Sequence, residues 1–557
     1  MSIPREKLRW NGWGWTDAAD PLAGRPEALA WIAATLGMGA RLPDTPAMAL
    51  GAITVPPPRL PPALLARLEA CVPAGAVVTS TRERAFHARG KSYHDLLHLR
   101  AGRMDALPDA VVYPETPDQA LAVIQWAEET GAAVVPYGGG SSVVGGVEAW
   151  AGAGRVVVSV DMTRMDKLLA TDPVSLTATA EAGIYGPALE AALASHGLTL
   201  GHYPQSFELS TLGGWIAARG AGQQSNRYGK AETWLIGAEL ATPRGLWQSA
   251  GFPASAAGPD LTRLIAGSEG TLGLITKATF KVHQAPEARD YRAYLMPDFE
   301  SGASAIRAIV QSETPVAALR LSDPDETRFF RAFAAARKPT TWRDGIERRV
   351  LGWMGVGARP CLLLAGFEGG SDQTRWSRRA ARALIRRAGG VAVGRRPADR
   401  WYAGRFHGPY LRDPLMDRGI GVDTLETATF WSSAPELYGA VHSALQTAMR
   451  EHAASESARG IVMAHISHSY PDGASLYFTF IFPRKLSDEV GQWRAIKRAA
   501  TDAIVRHGGT ISHHHGVGVD HAAWLKGEKG PIGMEVLRAV KRALDPANVM
   551  NPGKLLE

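Results

Sequence analysis

At 557 residues the chain is too long for one ordinary domain and must divide into two or more lobes around a large core. A hydrophobic content of 45% with 21% charge excludes a disordered or fibrous protein, and a net charge of +7 from scattered Arg, with no basic run, argues against nucleic-acid binding. The two cysteines, Cys71 and Cys361, fall outside any CxxC spacing, which excludes a disulfide framework and a cysteine metal site.

Residues 1–105 open with KLRWNGWGW and then alternate Pro-rich and helical stretches without a chemical motif. They are expected to form a helical extension wrapped on the main body. Trp10, Trp13 and Trp15 read as packing, or else as an amphipathic foot on a membrane surface. No signal peptide or membrane-spanning stretch is visible, and neither end carries a peroxisomal address, so a cytoplasmic protein, peripheral at the membrane if anything, is expected.

From residue 106 to 286 the pattern is strand, helix, strand and glycine loop, which indicates an α/β unit. Ala110–Tyr113 reads as a strand; Thr116-Pro117 caps and starts a helix that Gly131 ends; Val134–Pro136 is the next strand. Gly138-Gly139-Gly140-Ser141-Ser142 follows at once, a turn whose N–H and hydroxyl groups can approach an anion closely. It is neither GxGxxG nor a Walker loop. Strands at 155–161 and 176–181 and a helix at 187–196 complete this lobe.

Residues 287–500 alternate helices (301–312, 324–336, 373–388, 489–506) with strands (316–322, 361–367, 390–395), an α+β pattern of an antiparallel sheet covered by helices. Along LYFTF, Leu476, Phe478 and Phe480 are expected on one face and Tyr477 and Thr479 on the other. Residues 501–557 are expected to return to the first lobe.

Three segments in this order, the glycine loop, FELSTLGGWIAARGAG and GSEGTLGLIT, resemble the FAD domain of the vanillyl alcohol oxidase and p-cresol methylhydroxylase family, and LDPANVMNPGKLL resembles its C-terminal flavin contact. By that resemblance the fold is a two-lobed FAD-binding domain plus a substrate-binding cap. Its implied flavin contacts are Pro136, Tyr137, Gly138, Gly139, Gly140, Ser141 and Ser142; Gln205, Ser206, Phe207, Glu208, Leu209, Ser210 and Thr211; Arg219; and Glu269, Gly270, Thr271, Leu272, Gly273, Leu274 and Ile275. The glycine loop holds no His to tether the ring, so FAD is expected to be noncovalent.

WNGWGW, YLRD, ETATFW, SYPDGASLYFTF and SHHHGVG narrow the resemblance to the alkyldihydroxyacetonephosphate synthases, over residue 5 to the end. That family replaces the acyl chain of acyl-dihydroxyacetone phosphate by a fatty alcohol through an adduct at flavin N5, without net redox change. The resemblance assigns catalysis to Tyr477, His513, His514, His515 and Arg320, and phosphate binding to Arg412; it also implies a homodimer. As a base the Tyr477 phenol needs nearby positive charge, which the His triplet is expected to supply unless it binds phosphate. No metal is expected, because consecutive histidines seldom converge on one ion. Structural alternatives are a core aromatic for Tyr477 and ion pairs with Asp413 for Arg412 and with Asp323 or a neighbour for Arg320.

The chain departs from the animal enzymes at 218–222, where ARGAG lacks their Ser. The competing reading is an FAD-dependent D-2-hydroxy acid dehydrogenase or oxidase, in which His465 and His468 of HISHSYPDG bind a metal.

Overall fold

The helix Pro117–Thr130 shows how local chemistry sets the first lobe. The Thr116 hydroxyl accepts the Gln119 N–H, Pro117 occupies the first turn, and Gly131 stops the helix at φ +72°. Its Ala120, Val123, Ile124 and Ala127 face inward against Val134, Val158 and Val160. The computed structural model describes residues 3–152, 154–249, 251–335 and 359–556.

Strands Ala110–Val112, Val157–Asp161 and Ala133–Tyr137 pair in parallel. Val77–Val78 closes the edge beside Ala110–Val112 in antiparallel sense, so the segment expected to be only a helical wrap contributes a strand. A second, five-stranded antiparallel sheet runs in the order Leu168–Asp172, Thr177–Glu181, Leu274–Lys281, Leu235–Thr242, Gly245–Gln248. The chain's last residues return to the first sheet: Val134 N–H donates to Val549 O, and Asn551 N–H to Val134 O, both at 2.8 Å.

The cap is a seven-stranded antiparallel sheet, ordered Val391–Gly394, Ala288–Met296, Cys361–Gly369, Ala318–Ser322, Ile461–Ser469, Gly473–Pro483, Ile420–Phe430. Helices Phe299–Gln311, Ser371–Arg387, Ala434–Glu451 and Glu489–Arg506 cover one face. Leu476, Phe478 and Phe480 point into that helical core, whereas Tyr477, Thr479 and Ile481 line a cavity on the opposite side. Among the described residues no helix is long and apolar enough to cross a membrane.

The N-terminal segment packs against the glycine loop rather than standing free. Trp10 and Trp13 are buried with Phe86, Tyr137 and Leu209. The buried Arg5 guanidinium lies 2.5 Å from Asp161 and donates to Gly138 O at 2.6 Å. Burial would raise the Asp161 pKa, but Arg5 and hydrogen bonds from His87 and Thr163 hold it down to about 2.

Replacing Arg5 by Met leaves that carboxylate buried without its cation. We expect a loss of about 3–5 kcal/mol in denaturant unfolding. In the wild type, a depressed Asp pKa means stability present above about pH 4 and lost as pH falls towards 2, which an acid titration of unfolding checks.

Candidate active site

A cavity of about 430 Å³ separates the first lobe from the cap, within the range of sites for small ligands. Its first-lobe wall is rich in small residues, Gly138 to Ser142, Gly146, Gly213, Gly214, Ala217, Ala218, Gly270 and Gly273, set among larger ones such as Tyr137 and Trp215. Such a wall exposes backbone N–H groups and leaves room for a flat ring and a pyrophosphate. Gly140 needs its φ of +68°, and a methyl group on Gly139 would lie 1.8 Å from the Leu209 carbonyl. This wall fits FAD.

Of the residues expected to touch the flavin, Pro136 to Ser142, Gln205, Ser206, Ser210, Thr211, Glu269, Gly270, Gly273, Leu274 and Ile275 line the cavity. Six do not. Arg219 turns outward to Glu232 at 3.3 Å with half its side chain exposed. Phe207 stacks on Phe406 and Trp215, Glu208 accepts the Tyr410 hydroxyl, and Leu209 packs with the tryptophans. The Thr271 hydroxyl closes its own turn on Ser268 O, and Leu272 is core. Arg219 apart, these residues pack behind the wall.

On the cap side Tyr477, 8% exposed, lies between the rings of His465, stacked at 4.9 Å, and of His514 and His515 at 6.0 and 5.6 Å. Arg412 lines the same cavity. It donates to Lys91 O at 3.0 Å and faces Asp423 at 3.6 Å. Its sequence neighbour Asp413 instead receives the Trp13 N–H and lies near Arg9 and Arg100, so the expected Arg412–Asp413 pair does not form. Arg320 pairs with Glu326 at 2.9 Å and meets His465 at 3.0 Å, also at the cavity. Asp323, the first partner considered for it, accepts the N–H groups of Glu326 and Ala464 and the Tyr438 hydroxyl.

The residue that sequence reasoning passed over is Glu426, opposite Tyr477 in the strand register. Its carboxylate accepts N–H from His513 (2.5 Å), His514 (3.0 Å) and His515 (2.9 Å), and the Ser512 hydroxyl. Burial opposes its ionisation, yet the N–H groups that converge on it hold it well below the ordinary carboxylate range. ETATFW was already in view as a motif; an acid alternating onto the face of Tyr477's neighbour strand was the missed signal.

Burial pushes all three rings of the triplet towards the neutral form, against the direction that supplying positive charge to Tyr477 would need. Burial likewise raises the Tyr477 phenol; a Thr424 hydrogen bond and the charge of Arg412 oppose it. His514 and His515 line the cavity, whereas His513 bonds Tyr470 at 2.7 Å behind it. The Nδ1 atoms of His513 and His514 meet in a hydrogen bond at 3.0 Å. His465 and His468 part company, His465 being held by Glu326 and Arg320.

Residues 108–251 match a family model described as an FAD binding domain, and residues 285–555 one described as the C-terminal domain of FAD linked oxidases. The first lobe is thus an FAD-binding domain. The chain is 32% identical to an alkyldihydroxyacetonephosphate synthase of Dictyostelium discoideum, over 99% of this chain and 94% of that one. A solved alkyldihydroxyacetonephosphate synthase superposes with a TM-score of 0.82 at 30% identity, covering 98% of each chain. p-Cresol methylhydroxylase, with a TM-score of 0.67 at 16% identity over 90% of this chain and 99% of that one, shares the fold.

Gly139→Ala forces the glycine loop away from Leu209. We expect FAD affinity to fall at least about tenfold, read as lost flavin absorbance after gel filtration, with the cap fold unchanged by circular dichroism.

Proposed function

Because this chain belongs to the alkyldihydroxyacetonephosphate synthase family, we propose that it exchanges the acyl group of acyl-dihydroxyacetone phosphate for a long-chain alcohol. The C1–O bond to the acyl group breaks and leaves as a fatty acid; a new C1–O bond to the alcohol forms. The observation that carries this reading is one cavity shared by the small-residue FAD wall, Tyr477, Arg412 and the apolar side chains of Phe329, Phe330, Leu415, Met463 and Ile481. When bound, FAD supplies an electron sink that accepts and returns an electron pair, so no net oxidation results.

The remaining tasks fall to this chain. Arg412 offers a guanidinium fork of the kind that holds a phosphate. Tyr477 serves as the base that removes a C1 proton, and the charge of Arg412 favours its phenolate form. Arg320, fixed by Glu326, orients His465 against the phenol ring. The apolar side chains give a long hydrocarbon chain a wall to lie on. The glycine loop offers no ring nitrogen, which supports noncovalent FAD. Substrates carrying such chains partition into bilayers, so the reading includes transient contact with a membrane surface.

Incubating the FAD-loaded enzyme with palmitoyl-dihydroxyacetone phosphate and labelled hexadecanol should yield labelled alkyl-dihydroxyacetone phosphate and free palmitate. Under anaerobic conditions D-lactate should leave the flavin oxidised; rapid bleaching without exchange would reassign the chain to the hydroxy-acid dehydrogenases. Tyr477→Phe should retain FAD while exchange drops about 10²–10⁴-fold. Arg412→Lys should raise KM for the phosphorylated substrate about tenfold or more, because an ammonium cannot reproduce the bidentate fork.

A further inference from the structure

The exchange moves two protons at C1, and Tyr477 has room for one of them. Once the phenol carries the C1 proton, it cannot also take the hydroxyl proton of the incoming alcohol. A departing carboxylate, with an ordinary pKa of about 4, is too weak a base for that task. A second base must therefore stand beside the same carbon. The cap sheet shows where the alcohol meets it, because its strands send residues to the cavity in successive rows. Val422 and Ile481 form one row, and Thr424, Thr479 and Met463 the next. Tyr477 and His465 are partners in the row after that. A hydrocarbon chain laid along Val422, Ile481 and Met463 thus brings its hydroxyl end to Tyr477 and His465.

His465 is held as an acceptor. Its buried ring stacks on the Tyr477 ring at 4.9 Å, so both side chains reach one substrate carbon. Nδ1 lies 2.9 Å from Oε1 of Glu326. Nη2 of Arg320 stands 3.0 Å from the same nitrogen and 2.9 Å from the same carboxylate oxygen. Burial opposes the ionisation of Glu326, but Arg320 and the hydrogen bond from His465 hold its pKa down to about 2. The ionised carboxylate is the stronger acceptor for both N–H groups, which places the ring proton on Nδ1 and the lone pair on Nε2. Nε2 has no hydrogen-bond partner among the described residues. Burial and the charge of Arg320 favour the neutral ring between turnovers, while Glu326 favours the protonated one.

Given the acyl–alcohol exchange, on which this step rests, we infer that Nε2 of His465 takes the hydroxyl proton of the alcohol, with Glu326 as the residue that positions the ring. The electron pair of the acyl C1–O bond departs with the fatty carboxylate. The alcohol oxygen supplies the pair for the new C1–O bond as its O–H bond breaks and Nε2–H forms. Tyr477 returns its proton to C1. His465 releases its own to solvent, which balances the charge of the fatty carboxylate.

The test compares two nucleophiles on FAD-loaded enzyme. Labelled palmitate, unlike labelled hexadecanol, arrives already deprotonated, so its incorporation into palmitoyl-dihydroxyacetone phosphate needs no second base. In His465→Gln the hexadecanol exchange should fall about 10²-fold further than the palmitate incorporation. Glu326→Gln, which removes the charge that fixes the tautomer, should show the same bias at about tenfold or more. Equal losses with both nucleophiles overturn the inference, as does undiminished hexadecanol exchange in His465→Gln. Should the variants fail to fold, the wild type in D₂O decides: slowing confined to hexadecanol exchange supports the step, and equal slowing of both reactions sinks it. Wild-type enzyme inactive with both nucleophiles sinks the exchange and this step with it, an outcome distinct from a lost bias.

Discussion

Two carboxylates, the buried Glu426 and the half-buried Glu269 at the cavity wall, hold the loop Ser512–Gly518, and the cavity takes its form from that grip. Glu426, from the cap sheet, gathers Ser512 and three successive N–H groups. Glu269, from the first lobe, accepts the N–H groups of Val517 at 2.6 Å and Gly518 at 2.7 Å. A carboxylate buried among apolar groups is costly unless its oxygens are satisfied, so each acid constrains the loop as firmly as the loop constrains it. The result is a seven-residue bridge tying cap to FAD lobe at the point where both face the reacting groups. The two acids differ in state. Glu426 is held ionised, whereas burial lifts Glu269 to about 7 despite its two N–H donors.

The cap sheet divides its labour by the alternation of side chains. Even positions of Leu476–Phe480 build the helical core; odd ones face the substrate space. A strand buried on both faces thereby serves stability and chemistry without sharing residues between them. His465, on the adjacent strand, stacks on the phenol, and Arg320, one strand further on, bonds His465.

Much of this was legible in the sequence because it is local. Thr116, Pro117 and Gly131 announce one helix, and the cap elements that were expected lie within a few residues of their bounds, since period-2 and period-3.6 patterns depend on near neighbours. The glycine loop was legible for the same reason. The strands Ala288–Met296, Ile420–Phe430 and Ile461–Ser469 and the helix Ala434–Glu451, by contrast, were not anticipated. What could not be read depends on contacts between distant segments. Glu426 and the triplet loop are more than 80 positions apart. The neutral state of the triplet follows from burial, which a string of three histidines does not display. Arg219 was misplaced because a motif gives an order of residues and not the direction of a side chain at a positive φ of 51°.

The pairing of Val134 with Val549 and Asn551 bears on how the protein is made. Asn551 also donates from its side chain to Glu269 O and Gly146 O, on two separate flavin loops. During translation the glycine loop therefore emerges more than 400 residues before the strand of chain that completes its sheet. The cofactor cleft is thus completed by the folding of distant parts of the chain onto each other, a long-range closure that is slower than the local turns which shape the glycine loop.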